Sequence, residues 1–118
     1  MDEVAIRRFA AMWKIRRFEE EMLALYQAGQ IPGQLHPAIG QEAVAVAVGE
    51  ALDERDLLFS THRNHGHLLG RGLAPEPMAA EILGKSTGYN RGKGGSMHIA
   101  APHLGVPTTS ALVAGNAP

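Results

Sequence analysis

The densest group of residues that could do chemistry is segment 62–67, His-Arg-Asn-His-Gly-His, which follows a short apolar run. Ligands of open α/β proteins bind beyond the carboxyl ends of strands. A guanidinium group binds phosphate or carboxylate through two parallel hydrogen bonds, so one hypothesis is an anion site centred on Arg63. A metal site at His62, His65 and His67 is a second hypothesis, although their spacing follows no standard ligand set. In a third, these are polar residues at a helix start that bind no ligand.

A second candidate is the glycine-rich segment 87–98, Thr-Gly-Tyr-Asn-Arg-Gly-Lys-Gly-Gly-Ser-Met-His. Glycine permits a positive φ and a close approach to a ligand, and Arg91 and Lys93 could supply charge to an anion. The segment completes neither common phosphate-binding motif, because Ala79 and Met97 stand where each motif needs a glycine. Two interpretations remain open, an anion-binding loop and a mobile basic surface loop.

His36 is a third candidate, in a predicted loop over residues 30–40. Pro37 disfavours helical geometry at the residue before it, so we expect an extended backbone at His36. A histidine that titrates near neutral pH can bind a substrate or move a proton. The alternative is an ordinary surface histidine.

One long helix is predicted over residues 2–28, because Phe9, Met12 and Trp13 recur at helical spacing. Asp2 suits the positive end of the helix dipole, and a glycine follows the helix as a stop. Arg16 and Glu20 are four residues apart, so we expect them to pair. The pair is either solvated or buried against another domain or subunit.

The remaining elements are shorter. Residues 41–52 predict a buried helix that is apolar on every side, and residues 57–59 predict a buried strand. Residues 68–73 predict a helical turn that ends at Gly72, and residues 75–83 predict a helix that Gly84 stops. Residues 102–109 are expected to be irregular, and the small apolar residues 110–117 to line a pocket or begin a buried helix.

Composition excludes several classes of protein. The 118 residues carry a net charge of −1, which argues against binding to nucleic acid or to an anionic membrane. No apolar run approaches the ~20 residues of a membrane span. The absence of cysteine excludes disulfides and fits a reducing compartment, so we expect a cytoplasmic protein. The chain stops just after an apolar run, and we expect it to be the front part of a longer one.

Taken in order, four blocks of this chain resemble the alpha subunit of thiamine diphosphate-dependent 2-oxo acid dehydrogenases, the first component of pyruvate, branched-chain 2-oxo acid and acetoin dehydrogenase complexes. The blocks are RRFEE (16–20), His36 with IGQEAVAVAVG (39–49), HRNHGH (62–67) and TGYNRGKGGSMHI (87–99). The resemblance implies an α/β fold. Residues 1–118 would be the N-terminal, mostly helical and incomplete part of the thiamine diphosphate-binding domain.

The resemblance also implies roles for single residues. Arg63 matches the family's arginine that contacts the cofactor diphosphate, and His62 stands where the family usually has tyrosine. His36 matches a loop histidine near the reacting carbons, and His65 matches the family histidine of the same block, so both are expected to be catalytic. Ala111 and Val113 would offer main-chain groups to the aminopyrimidine ring of the cofactor.

The cofactor implied is thiamine diphosphate, with magnesium bound by residues beyond this chain. The family cleaves the bond next to the substrate carbonyl and passes the acyl unit to a lipoyl group. The partners implied are a beta subunit and the lipoyl-bearing acyltransferase component, and this chain alone is expected to be inactive. Two alternatives are a truncated, non-catalytic fragment that keeps subunit-contact elements, and a self-contained metal or phosphate-binding module.

Overall fold

The computed structural model describes residues 2–110, and its longest element is helix α1 (Glu3–Gln27). Asp2 caps this helix, because its side chain accepts a hydrogen bond from the backbone N–H of Ala5 at 2.7 Å. Gly29 follows the helix with a φ of 75°, which ends it. The helix predicted over residues 2–28 is therefore confirmed.

Five further helices and strands follow in the described part of the chain. They are α2 (Glu42–Ala51), β1 (Phe59–Thr61), α3 (His65–Arg71), α4 (Pro75–Ile82) and β2 (Thr108–Ser110), with a 3₁₀ turn at Pro102–Leu104 before the last strand. The strands β1 and β2 pair in parallel, with Phe59 opposite Thr108 and Thr61 opposite Ser110. The described part is thus mainly helical, with a small parallel sheet.

Helices α2 and α3 cross closely because small residues line their contact. A Cβ atom added at Gly70 would lie 2.5 Å from the carbonyl oxygen of Ala45, and one at Gly66 would lie 3.3 Å from the Ala45 Cβ. Gly49 faces the backbone of Gly70 just as tightly. This close contact fixes the start of α3, which carries the histidine block, against α2.

The apolar core joins α1, α3, α4 and the chain after the glycine-rich segment. Its fully buried large side chains are Ile15, Leu68, Leu73, Met78, Ile82, Ile99 and Val106. Gly72 ends α3 with a φ of 108°, and Gly84 follows α4 with a φ of 73°, as predicted for both helices. None of the described helices is long and apolar enough to cross a membrane.

Helix α2 is present as predicted, but it is not buried on every side. Ala45 and Val46 are buried, whereas Val44 and Val48 are 58% and 39% exposed. At about 100° per residue, alternation puts Val44 and Val48 on one side of the helix and Val46 on the opposite side. Since α2 packs on α1 and α3 along one side, the remaining valines face outward.

Two predicted strand boundaries are wrong. The strand predicted over residues 57–59 begins only at Phe59, and Leu57 and Phe59 are 60% and 64% exposed rather than buried. The segment predicted to be irregular, residues 102–109, contains the first two residues of β2, and the partner strand β1 lies almost fifty residues earlier in the sequence. Strand formation here depends on that distant partner, which local propensity does not reveal.

The predicted ion pair between Arg16 and Glu20 is also wrong. The Nε atom of Arg16 instead donates to Oε1 of Glu42 on α2, and Glu20 pairs with Arg17. Glu42 is the stronger partner because it is buried and also accepts hydrogen bonds from the backbone of Gly40. Arg16 therefore ties α1 to the start of α2.

Candidate functional site

The candidate site lies where the loop over residues 30–40 meets the start of α3. The rings of His36 and His62 stand perpendicular, with centroids 5.1 Å apart. The Nη1 atom of Arg63 donates to the carbonyl oxygen of Pro37 at 2.7 Å. The structure thus brings together His36, His62 and Arg63, which the sequence singled out separately.

The surroundings of His36 disfavour the charged form of its ring. Burial lowers the pKa of His36, and the charges of His62, Arg63 and His65 lower that pKa further. The Nδ1 atoms of His36 and His62 are buried, with no hydrogen-bond partner among the described residues. Buried polar atoms are nearly always satisfied, so an unpaired set beside a guanidinium suits a ligand that carries phosphate or carboxylate.

The cluster of His36, His62 and Arg63 adjoins the end of the two-stranded sheet. Both strands run in parallel and end opposite each other, at Thr61 and Ser110. The residue after Thr61 is His62, so the cluster begins at the carboxyl edge of the sheet, where α/β folds bind ligands. Ala111 and Val113, the other predicted cofactor contacts, lie outside the described residues.

His65 lies beneath this cluster and is completely buried. Its Nδ1 atom is 2.9 Å from Oε2 of Glu19, and its Nε2 atom is 2.9 Å from Oγ of Ser96. A carboxylate only accepts hydrogen bonds, so Nδ1 carries a hydrogen and donates it to Glu19. Because both ring nitrogens are used internally, His65 is placed to hold its neighbours in position.

The described residues give no geometric support to the hypothesis of a metal site in the histidine block. No group of three histidine, cysteine, aspartate or glutamate side chains within residues 2–110 could hold a metal ion. His67 instead bonds through Nδ1 to Oγ of Ser60 at 2.8 Å, and burial lowers the pKa of His67. His65 is held by Glu19 and Ser96.

The glycine-rich segment is organised around a carboxylate of the protein itself. The Oε1 atom of Glu81 accepts hydrogen bonds from the backbone N–H groups of Asn90 and Gly92, at 2.5 and 2.9 Å. Its Oε2 atom accepts from Gly94 and Gly95, at 2.7 and 3.1 Å. The segment does bind an anion, but these amides are occupied by Glu81. Neither an open phosphate loop nor a mobile loop describes it.

Three buried polar residues that bond the loops around the site, Glu19, Glu81 and Ser96, were not predicted from the sequence. A signal was available for Glu81, because it lies three residues after Met78 and directly before Ile82 on the buried face of α4. A glutamate on an apolar face needs internal partners. Consecutive glycines supply several backbone N–H groups that no side chain obstructs.

A separate apolar surface lies between α1 and α2. A cavity of about 550 Å³ there is lined mainly by small and apolar side chains, including Met12 and Val46. Nearby on α1, Phe9 and Trp13 are 62% and 56% exposed. His36, His62 and Arg63 do not line this cavity. The cavity is therefore a part of the surface distinct from the candidate site.

Known proteins match this chain over 82% to 97% of its length. It is 43% identical to the alpha subunit of acetoin:2,6-dichlorophenolindophenol oxidoreductase from Bacillus subtilis, over 97% of this chain and 34% of the relative. It is 45% identical to the pyruvate dehydrogenase E1 component subunit alpha of Zymomonas mobilis, over 82% of this chain and 28% of the relative. The corresponding Rickettsia bellii subunit is 42% identical over 82% of this chain and 30% of the relative.

The chain spans about a third of the length of these relatives. The family described as the dehydrogenase E1 component matches residues 10–118, which include the histidine cluster, the buried Glu19–His65–Ser96 contacts and the glycine-rich segment. This chain therefore belongs to the dehydrogenase E1 component family, and it resembles the N-terminal portion of the alpha subunits of acetoin and pyruvate dehydrogenases.

Proposed function

We propose that this chain is the N-terminal part of the alpha subunit of a thiamine diphosphate-dependent dehydrogenase that acts on a 2-oxo acid or acetoin. The enzyme cleaves the bond next to the substrate carbonyl and passes the acyl unit to a lipoyl group. The observation that carries the proposal is the cluster of His36, His62 and Arg63 at the carboxyl edge of the sheet. The names of its relatives supply the substrate class.

The described residues fit the diphosphate end of this cofactor. Arg63 is exposed and spends one hydrogen bond on Pro37, which leaves most of its five N–H donors for phosphate oxygens. The unpaired Nδ1 of His62 gives a second polar contact in place of the family's tyrosine. Main-chain groups of Ala111 and Val113 would contact the aminopyrimidine ring, and residues beyond this chain would bind magnesium.

When bound, thiamine diphosphate supplies the carbanion chemistry of the reaction. This chain contributes His36, whose lowered pKa keeps the ring neutral at pH 7. A neutral imidazole can accept a proton, and the buried Nδ1 of His36 is the atom that lacks an internal partner. We assign His36 to proton transfer and substrate binding. His65, the other predicted catalytic residue, is assigned to positioning because both its nitrogens are bonded internally.

Partners follow from the same proposal. A beta subunit would complete the active site, and a lipoyl-bearing acyltransferase component would receive the acyl unit. Phe9 and Trp13 are exposed beside the cavity between α1 and α2. This apolar surface is suited to contact a neighbouring subunit or the rest of the alpha subunit. In the alternative function, a non-catalytic fragment, this surface would be the part retained.

The test is an assay of the full alpha subunit co-purified with its beta subunit. Pyruvate, branched-chain 2-oxo acids and acetoin are supplied with magnesium and thiamine diphosphate, and an artificial electron acceptor reports turnover. Arg63→Lys removes the two-pronged guanidinium contact and should raise the cofactor concentration needed for half-maximal activity about tenfold. Arg17→Lys, a change at an exposed arginine of α1, is the matched control.

His36→Ala should lower kcat about a hundredfold, which is the scale of one proton-transfer group. The proposal would be refuted if an assembled complex, saturated with cofactor, turned over none of these substrates. Assembly without any cofactor binding would favour the non-catalytic alternative.

A further inference from the structure

We propose that Ser96, held in place by Glu81, is the positioning residue for His36. The proposal rests on the function assigned above, since it concerns the residue given the proton-transfer role. Neither Ser96 nor Glu81 lies in the cluster itself. Both are buried. Glu81 acts on the backbone of the glycine-rich segment, and Ser96 acts on His36 through its hydroxyl.

Glu81 fixes the conformation of the glycine-rich segment through backbone hydrogen bonds. Its carboxylate is fully buried and accepts four backbone hydrogen bonds, the last two from Gly94 and Gly95. A Cβ atom added at Gly88 would lie 2.6 Å from Oε1 of Glu81, so the backbone encloses this carboxylate closely. Gly95 is the residue before Ser96, and the position of Ser96 is therefore fixed from the Glu81 side.

Ser96 then connects the segment to the site. Its hydroxyl lies 2.9 Å from Nε2 of His65 and accepts a longer hydrogen bond, 3.4 Å, from the backbone N–H of His36. Its carbonyl oxygen accepts from Nδ2 of Asn64 at 3.0 Å. One buried serine thus contacts the loop of His36, the buried His65 and the start of α3.

The loop of His36 is fixed at three consecutive residues. Ser96 holds the N–H of His36, Arg63 holds the carbonyl of Pro37, and Oε1 of Glu19 accepts from the N–H of Ala38 at 3.0 Å. Arg63 is exposed and is assigned to the cofactor. The buried hydrogen-bond partners of this loop are therefore Ser96 and Glu19, and Ser96 is the one that bonds the backbone of His36 itself.

The experiment measures His36 directly as well as turnover. Ser96→Ala and Glu81→Gln are made in the full alpha subunit, assembled with its beta subunit, and Glu76→Gln on the exposed face of the same helix is the control. Modification of His36 by diethyl pyrocarbonate, quantified by peptide mass spectrometry across pH, gives the pKa of His36 without reference to activity. Steady-state kinetics give kcat and KM.

Ser96→Ala should lower kcat about tenfold with little change in KM, because misplacement of a proton-transfer group affects the transition state more than binding. A loosened loop admits water, so the pKa of His36 should rise toward its ordinary value, still under the influence of His62, Arg63 and His65. Glu81→Gln should do the same, because an amide nitrogen then faces backbone donors. The double variant should lose less than the product of the two single losses.

The proposal is overturned if an assembled Ser96→Ala enzyme keeps both the kcat and the His36 titration of the wild type. It is also overturned if Glu81→Gln changes them while Ser96→Ala does not. Should Ser96→Ala fail to assemble, the Glu81→Gln titration decides by the same criterion. A wild-type complex that turns over no substrate would refute the proposed function but not this proposal. The titration of His36 would still test whether Ser96 positions His36.

Discussion

The buried pair of Glu19 and His65 leads to the sharpest prediction about stability. Both residues have no exposed surface, and the two oxygens of Glu19 accept from Nδ1 of His65 and from the N–H of Ala38. Glu19→Leu removes both acceptors and leaves two buried donors unpaired. An unsatisfied buried donor costs about 1–3 kcal/mol, so Glu19→Leu should lower the free energy of unfolding by about 2–6 kcal/mol.

Glu19→Gln should behave differently, because an amide can keep both contacts. Its oxygen can accept from Ala38 while its NH₂ group donates to Nδ1 of His65, provided that the ring moves its hydrogen to Nε2. Ser96 can then accept from Nε2, since its hydroxyl and carbonyl oxygens lie 2.9 and 3.2 Å away. Loss of the charge on the acceptor is the main penalty, about 1–2 kcal/mol.

Urea unfolding followed by the helical circular dichroism signal would compare these variants with the wild type. Glu21→Gln, a change at an exposed glutamate of α1, is the matched control. Nitrogen NMR of a histidine-labelled chain would report the tautomer of His65, which should change from Nδ1–H to Nε2–H in Glu19→Gln. Equal destabilisation by the leucine and glutamine variants, or an unchanged tautomer, would show that Glu19 does not accept these two hydrogen bonds.

Two further predictions concern pH and helix packing. Burial lowers the pKa values of His36 and His67 from the ordinary 6.5, so below that pH the unfolded chain binds protons that the folded chain does not. The urea midpoint should therefore fall as pH drops from about 7.5 to 5.5, and a His67→Gln variant that kept the full decline would contradict this. Gly70→Ala should lower the free energy of unfolding by about 1–3 kcal/mol, because its Cβ meets the Ala45 carbonyl at 2.5 Å. Gly33→Ala, with nothing within 4 Å of the added Cβ, should stay within about 0.5 kcal/mol, and equal effects of the two changes would argue against the tight crossing.

Local signals in the sequence predicted the helices well. The cap at Asp2 and the left-handed glycines after α1, α3 and α4 act within one turn of the helix ends, so short stretches of sequence carry the information. The same locality explains the errors. Strand β2 exists through its pairing with β1, and the partner of Arg16 is Glu42, twenty-six residues away. Such long-range contacts leave no periodic pattern.

The residues of the candidate site were predicted from the sequence, but the residues that support them were not. Residue chemistry pointed to His36, His62 and Arg63, and the structure brings them together. Their geometry depends on Glu19 and Ser96, whose partners lie 19 or more residues away in sequence. Glu19 and Ser96 bond both the side chain of His65 and backbone N–H groups of the loop, and no local pattern in the sequence identifies such distant partners.

Three glutamates on the helices show how this fold fixes its loops. Glu19 of α1 binds the N–H of Ala38, Glu42 of α2 binds the N–H of Gly40, and Glu81 of α4 binds four N–H groups of the glycine-rich segment. Each carboxylate is buried or nearly so, and a buried charge is tolerated only when donors surround it. The loop N–H groups therefore stabilise each buried carboxylate, and each carboxylate in turn fixes the conformation of its loop. Because the loops around His36 and Ser96 are fastened to helices in this way, the precision of the candidate site is set by helix packing rather than by the loops themselves.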